Sequence, residues 1–366
     1  MNPSLDNEKI LFVISQLKVG GAAKMIKYVA NLCAAHFKEV TLVTYYDDYT
    51  PEDVSSSIKR INLNVRISRT PLWRLKALIR LRKIVKKGGY SVVCSFLPDI
   101  SAMSRLATIG LKLKVVSAER GDPYQFSMLW KGIVTWTYRN SDYCFFQLEQ
   151  ARDFFGESVA RHSFVIPNPY VPVNNAEPYK GVRKNTIVSA GRFAPQKRFD
   201  VLIRAFAKVH KLHPDYKLVL YGDGGSLNEY KELALQLGIS DSIEYPGYVR
   251  NVTAAICEDG VFVLSSDYEG IPNSLIEAMS VGLPVVATDC TPGGPAFLTN
   301  NGERGLLVPT HDVDEMAKAI QRLIEDEDLA KNLSEKASSI VKLLDIKVIN
   351  KMWMDAFTKI LENKNG

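Results

Sequence analysis

The chain has 366 residues, too many for one ordinary core, so two or three domains are expected. Hydrophobic residues at 46% and charged residues at 23% exclude a disordered chain, and no apolar run approaches the roughly 18 residues that span a bilayer. Net charge is +6 but uneven, with 25 Lys+Arg against 15 Asp+Glu in residues 1–180 and 21 against 25 in the rest; this disfavours nucleic-acid binding by the whole chain and favours a local anionic partner.

The polar start, residues 1–9, has no secretory pattern and leads into an apolar strand at 10–14. Gly20-Gly21 follows, then a helical pattern over 22–35 and a strand at 40–45. Between Asp53 and Asp99 there is no acid, but eleven Lys and Arg. Within that stretch a helix over 72–85 interleaves its cations with Leu72, Trp73, Leu75, Leu78, Ile79 and Leu81. A one-sign helix of this kind suits an anionic membrane surface, at about 1 kcal/mol per cation near the headgroups. RNA binding ranks below, because no basic motif or aromatic platform accompanies the charges.

Strands at 92–96, 115–118, 143–146 and 164–166 complete the first half. Two of them end in loops bearing Asp99 and the pair Glu119-Arg120, the candidates for the acceptor side. Four prolines, at 167, 169, 172 and 178, mark a linker over about 168–182. The second half repeats the alternation, with strands at 187–190, 217–221, 261–264 and 284–287 and helices at 201–210, 227–237 and 313–323. Alternating strand and helix predicts parallel sheets covered on both faces, so the fold class is α/β with two doubly wound Rossmann-like domains. The domains are residues 1–170 and 183–345, and a last amphipathic helix, 346–362, can return to the first. Doubly wound domains bind ligands outside the carboxyl ends of their strands, which here places a cleft between the two halves.

Two motifs carry the chemistry. Residues 268–279 read Tyr-Glu-Gly-Ile-Pro-Asn-Ser-Leu-Ile-Glu-Ala-Met and follow the strand at 261–264 directly. Gly270 and Pro272 make a turn, and a helix starts near Asn273, whose free N–H groups suit phosphate. Glu269 and Glu277 flank that turn and can accept from hydroxyls on either side of a diphosphate. Residues 189–200 carry Gly191, Arg192, Lys197 and Arg198 in a loop at another strand end. A guanidinium fork and an ammonium point charge are a fitting pair for a diphosphate. Solvated acids and a solvated basic loop are the plain alternatives for each motif alone; their joint placement at strand ends of one domain argues otherwise.

Glu269-x7-Glu277 together with Gly191-Arg192…Lys197 resembles the retaining nucleotide-sugar glycosyltransferases of glycosyltransferase family 4, over nearly the whole chain. The resemblance implies the GT-B fold and a metal-independent transfer with no cofactor, the nucleotide sugar being a substrate. It implies that Arg192 and Lys197 neutralise the donor diphosphate and that Glu269 lies near the donor sugar. It implies that Glu277 accepts from the ribose, and that the turn with Gly270, Ile271, Asn273, Ser274 and Leu275 contacts phosphate and sugar. Arg250 matches the segment beside the base, where a helix start is an equal reading. Gly20 and Gly21 match a glycine loop near the phosphates. After 291–295 the family often has an acid, and Ala296, Phe297 and Leu298 stand there instead. The five histidines, His36, His162, His210, His213 and His311, lie outside these loops and read as structural or solvated. Same-face attack needs no base, since the departing phosphate can take the acceptor proton, and leaving-group stabilisation then carries the rate.

The expected activity is therefore transfer of a hexose or N-acetylhexosamine from a nucleotide sugar, UDP-linked, to a lipid-linked or other glycan acceptor in bacterial surface polysaccharide assembly. The expected place is the inner face of the cytoplasmic membrane, in peripheral contact with anionic lipid. The five scattered cysteines, none in a C-x-x-C pair, suit that reducing compartment. A sugar-nucleotide epimerase, a soluble sugar synthase and a non-catalytic nucleotide-sugar-binding protein are the alternatives. The two acids disfavour the first, the basic helix the second, and intact Arg192, Lys197, Glu269 and Glu277 the third.

Overall fold

The computed structural model describes residues 5–18, 21–46, 53–65, 72–171 and 178–362. Gly20 and part of the proline-rich linker lie outside them. The chain divides into two compact units, Met1–Asn168 with Lys347–Gly366, and Pro169–Ile346.

The first unit is built on β1 (Lys9–Ile14), β2 (Glu39–Thr44), β3 (Lys59–Asn62), β4 (Val92–Phe96), β5 (Lys114–Ala118), β6 (Tyr143–Phe146) and β7 (Ser163–Val165). Among the described residues these pair in the order β3-β2-β1-β4-β5-β6-β7, all parallel. The covering helices are α1 (Gly21–Ala34), α2 (Leu72–Gly88), α3 (Pro98–Thr108), α4 (Met128–Arg139), α5 (Glu149–Asp153) and α6 (Glu157–Ala160). A central strand of such a sheet is buried on both faces, so its sequence is apolar throughout rather than alternating. In β1, Ile10, Phe12 and Ile14 face one core while Leu11 and Val13 face the other.

The second unit has β8 (Thr186–Ala190), β9 (Lys217–Tyr221), β10 (Ile243–Gly247), β11 (Val261–Leu264), β12 (Val285–Thr288) and β13 (Leu306–Val308), in the order β10-β9-β8-β11-β12-β13. Its helices are α7 (Phe199–Leu212), α8 (Leu227–Gln236), α9 (Val252–Ile256), α10 (Asn273–Ser280), α11 (Gly294–Thr299), α12 (Val313–Glu325), α13 (Glu327–Ser338) and α14 (Ile340–Leu343). The α/β class with two parallel Rossmann-like sheets is the one the alternation predicts. Three strands escape the sequence reading: β3, β10 and β13. Each is a sheet edge. β3 reads Lys-Arg-Ile-Asn with an exposed start, β10 contains Pro246, and β13 is three residues long. An edge strand needs little apolar sequence, and charge or proline on it prevents further pairing.

The last helix, α15 (Ile346–Glu362), belongs to the first unit. Ile349, Trp353, Ala356, Phe357, Ile360 and Leu361 are buried on one stripe, the spacing of an amphipathic helix. Phe357 packs edge-on to Phe12 and Phe37, and Trp353 packs on Phe145 at 4.5 Å between ring centroids. The chain end thus supplies part of the core of the first unit. Trp353 is fully buried. Trp353→Ala is expected to destabilise that unit by about 3–5 kcal/mol, the range for emptying a large aromatic site, while leaving the second unit's transition unchanged. Two-probe chemical denaturation checks this.

Candidate active site

β8 pairs β9 on one side and β11 on the other, so the second sheet's strand order reverses between β8 and β11. At that switch point the connections leave in opposite directions and a crevice opens at the strands' carboxyl ends. Both sequence motifs lie there. The loop after β8 holds Arg192 and Lys197; the loop after β11 holds Glu269.

The two loops are laced together. Asp267 N–H donates to the Gln196 carbonyl at 2.9 Å, and the Gln196 amide donates to the Tyr268 carbonyl at 2.7 Å. Ser265 Oγ donates to the Lys197 carbonyl at 2.7 Å. Above these straps the Lys197 ammonium is paired with Glu269 Oε1, which also accepts from the Ser266 hydroxyl at 2.9 Å. Arg192 is exposed and its side chain has no partner among the described residues. One cation is therefore balanced by a carboxylate and the other is free.

Beneath Lys197 sits a second charge cluster. Arg198 adopts the left-handed region at φ 47°. Its guanidinium binds Asp200 through two 2.9 Å hydrogen bonds and approaches Asp267 at 3.5 Å and His311 Nδ1. His311 Nε2 lies 3.2 Å from Asp267 Oδ1. Burial alone would raise the Asp200 pKa, but the hydrogen bonds and charge of Arg198 outweigh it and hold the carboxyl below its usual range. The hydrogen bonds that Arg198 donates to Asp200, against some burial, raise its pKa and hold it charged. The expectation that His311 is structural agrees with this position.

Glycine completes the seat. Gly222 and Gly224, after β9, have φ of 143° and 152°. A Cβ on Gly222 would lie 1.8 Å from the Gly191 carbonyl oxygen, and one on Gly224 2.4 Å from that of Phe193. No side chain fits either place, so the β9 loop supports the Arg192 loop by backbone contact.

After Gly270 the chain enters α10 at Asn273, with Pro272 at the cap and no side-chain cap. Ser274 and Glu277 are half-buried on the first turns. Ile271 and Leu275 are buried, and the Leu275 N–H donates to the Pro272 carbonyl at 3.2 Å. Leu275 therefore anchors the helix rather than offering a group to a ligand. The far end of α10 is held by Arg183, whose guanidinium donates to the carbonyls of Val281 and Gly282, and to those of Cys257 and Asp259. A Cβ on Gly294 would lie 1.5 Å from the Gly270 carbonyl oxygen, so α11 closes directly against the turn.

The remaining candidates are placed as follows. Arg250 is exposed just after β10, and Asn251 caps α9 by accepting from the Ala254 N–H at 3.0 Å, which is the helix start that the sequence also allows. Gly21 opens α1 in the first unit, and Gly20 lies outside the described residues. Asp99 is exposed in the first turn of α3. Glu119 and Arg120 are 2% and 8% exposed, and neither is presented as the strand-end reading expects. Glu119 accepts from Tyr138 Oη at 2.8 Å and from the N–H groups of Arg120 and Gly121. Burial raises its pKa against those bonds. The Arg120 guanidinium lies between the Phe96 and Trp353 rings, 5.3 and 5.2 Å from their centroids, and burial lowers its pKa to about 10. Among the described residues no group of three or more His, Cys, Asp or Glu is placed to hold a metal ion.

Sequence reasoning passed over Ser265, Ser266, Asp267 and the Gly222–Gly224 loop. Ser-Ser-Asp standing directly before Tyr-Glu-Gly, and Gly-Asp-Gly-Gly at the end of a strand, are the signals that could have found them.

Residues 174–339 match the family of glycosyl transferases group 1. An exopolysaccharide phosphotransferase of Streptomyces coelicolor is 34% identical over 221 residues, 59% of this chain, but the match spans only 23% of that protein. GalNAc-alpha-(1->4)-GalNAc-alpha-(1->3)-diNAcBac-PP-undecaprenol alpha-1,4-N-acetyl-D-galactosaminyltransferase of Campylobacter jejuni is 25% identical over 359 residues, 96% of this chain and 99% of that protein. The structure of Anabaena HepE in complex with UDP and glucose superposes with a TM-score of 0.79 at 17% identity, covering 96% of this chain and 100% of that one. The matched segment, which carries the two laced loops, is thus similar to the group 1 glycosyl transferases, and the two sheets are those of the GT-B fold.

Proposed function

We propose that the chain is a retaining glycosyltransferase of glycosyltransferase family 4 that moves a hexose or N-acetylhexosamine from a UDP-sugar to a lipid-linked glycan in bacterial surface polysaccharide assembly. One observation carries the reading: the Arg192–Lys197 loop and the Glu269–Glu277 loop–helix are laced together at the switch point, with Lys197 on Glu269. The near-full-length match to the Campylobacter transferase, whose name specifies an undecaprenol-diphosphate-linked acceptor, supports the acceptor class. The phosphotransferase activity of the Streptomyces relative is not carried over, because under a quarter of that protein is matched.

The donor diphosphate takes the charge of Arg192 and Lys197. As Lys197 turns to phosphate, Glu269 is released toward the donor sugar while Ser266 keeps hold of the same oxygen. Glu277, one turn into α10, accepts from the ribose. Bond breaking puts negative charge on the departing UDP, and preorganised cations stabilise it more in the transition state than before. The acceptor hydroxyl enters on the face that UDP leaves, its proton goes to the leaving phosphate oxygen, and configuration is kept. The cationic helix α2 faces the anionic inner leaflet, where the lipid-linked acceptor is found, and no described helix is long and apolar enough to cross a membrane. Incubation with a panel of nucleotide sugars, reading UDP release and product mass, tests the whole proposal; no turnover of any donor would overturn it.

Arg192→Ala and Lys197→Ala are each expected to lower kcat by about a hundredfold or more. Arg192 is the cleaner probe because its side chain holds nothing else, and unchanged melting together with near-normal turnover would refute its role. Activity is expected to survive EDTA, since protein cations serve the leaving group; loss restored by Mg²⁺ or Mn²⁺ would contradict this. Glu277→Gln is expected to weaken binding of every UDP-sugar alike, while Glu269→Gln lowers kcat and changes the order of preferred sugars. Identical donor profiles for the two variants would show that the carboxylates do not divide the work this way.

A further inference from the structure

Two short helices frame the nucleotide half of the candidate site. α9 begins directly after Arg250, with Asn251 as its cap, and α10 begins at the phosphate turn and carries Glu277. They follow β10 and β11, so both start at the carboxyl edge of the second sheet and run away from it. The two helices pack against each other.

Their far ends are tied by one side chain. Arg183 is half-buried in the segment that leads from the proline-rich linker into β8. Its Nη1 donates to the carbonyls of Cys257 and Asp259 at 3.0 and 3.1 Å, just past the end of α9. Its Nη2 donates to the carbonyls of Val281 and Gly282 at 3.2 and 2.7 Å, just past the end of α10. Gly282 has φ 68°, which turns the chain out of the helix and leaves these carbonyls beyond the helical ladder. Val281 also accepts from the Tyr179 N–H at 3.2 Å, and Gly282 from the Ser334 hydroxyl. The guanidinium carbon lies 5.7 Å from the centre of the Tyr179 ring. A guanidinium is a rigid planar fork, so its two nitrogens hold the two pairs of carbonyls at a set spacing. α10 has eight residues, about 12 Å at 1.5 Å per residue, and over so short a rod a shift at one end is carried to the other.

We propose that Arg183 is a positioning residue for the nucleotide of the donor. It lies at the ends of α9 and α10 away from the ligand edge. By fixing those ends together it sets the distance between the Arg250 segment, beside the base, and the α10 turn, beside the ribose and phosphates. The inference rests on the nucleotide-sugar reading above and deepens it. A ligand that spans both helices depends on their spacing. A ligand held at the phosphate turn alone does not, because the loop before that turn is laced to the Arg192 loop through Gln196 and Ser265.

The test measures binding of UDP and of inorganic pyrophosphate to the full chain by calorimetry, for wild type, Arg183→Met and Arg183→Lys. The first variant removes all four hydrogen bonds. The second keeps a positive charge at the helix ends without the fork, and serves where the first melts early. UDP is expected to bind about tenfold more weakly to both variants, since small misplacements in a site cost one to two orders of magnitude. Pyrophosphate affinity is expected to stay near its wild-type value. In turnover the donor KM rises with the UDP dissociation constant, while kcat at saturating donor is kept. Lower melting with both affinities unchanged would make Arg183 a stitch in the fold and overturn the role. So would an equal loss for UDP and pyrophosphate, or a fall in kcat without a change in KM. A wild type that binds pyrophosphate but not UDP strikes the nucleotide-sugar reading and this role with it. UDP bound equally well by wild type and Arg183→Lys strikes this role alone.

Discussion

Everything at the candidate site depends on one pairing, β8 beside β11. Val261 is registered with Ile187 and Phe262 with Val188. That register ends both strands at the same level and brings Lys197 and Glu269, 72 residues apart in sequence, into an ion pair. Neither residue is placed by its own neighbours in the chain. A shift of one residue in a strand would turn every side chain to the opposite face, and the laces from Ser265, Gln196 and Asp267 would lose their partners together. The buried faces of the strands fix the register, so the apolar core is what sets the geometry of the polar site.

The charges are arranged in two levels. The upper pair, Lys197 and Glu269, is neutral in sum. A buried unpaired charge would cost several kcal/mol, and each of these two relieves the other. The lower cluster holds Arg198 against Asp200 and Asp267. It fixes the backbone at the residue after Lys197, in a left-handed conformation that an arginine adopts only when held there.

The central strands and the amphipathic helices are legible in the sequence because burial on both faces or on one stripe leaves a clear apolar pattern. β3, β10 and β13 are not, since at a sheet edge pairing on one side suffices and charge or proline is tolerated. The two motifs of the site are legible for a different reason: glycine and proline punctuate strand ends, and charged residues follow them. Ser265 and Ser266 are harder to see: the partner of Ser265 is a carbonyl 68 residues away, and only the local Ser-Ser-Asp before Tyr-Glu-Gly hints at either. Glu119 and Arg120 mislead in the opposite direction. Their charge at a strand end suggests a ligand, yet the carboxylate is spent on Tyr138 and its own loop, and the guanidinium lies between two rings.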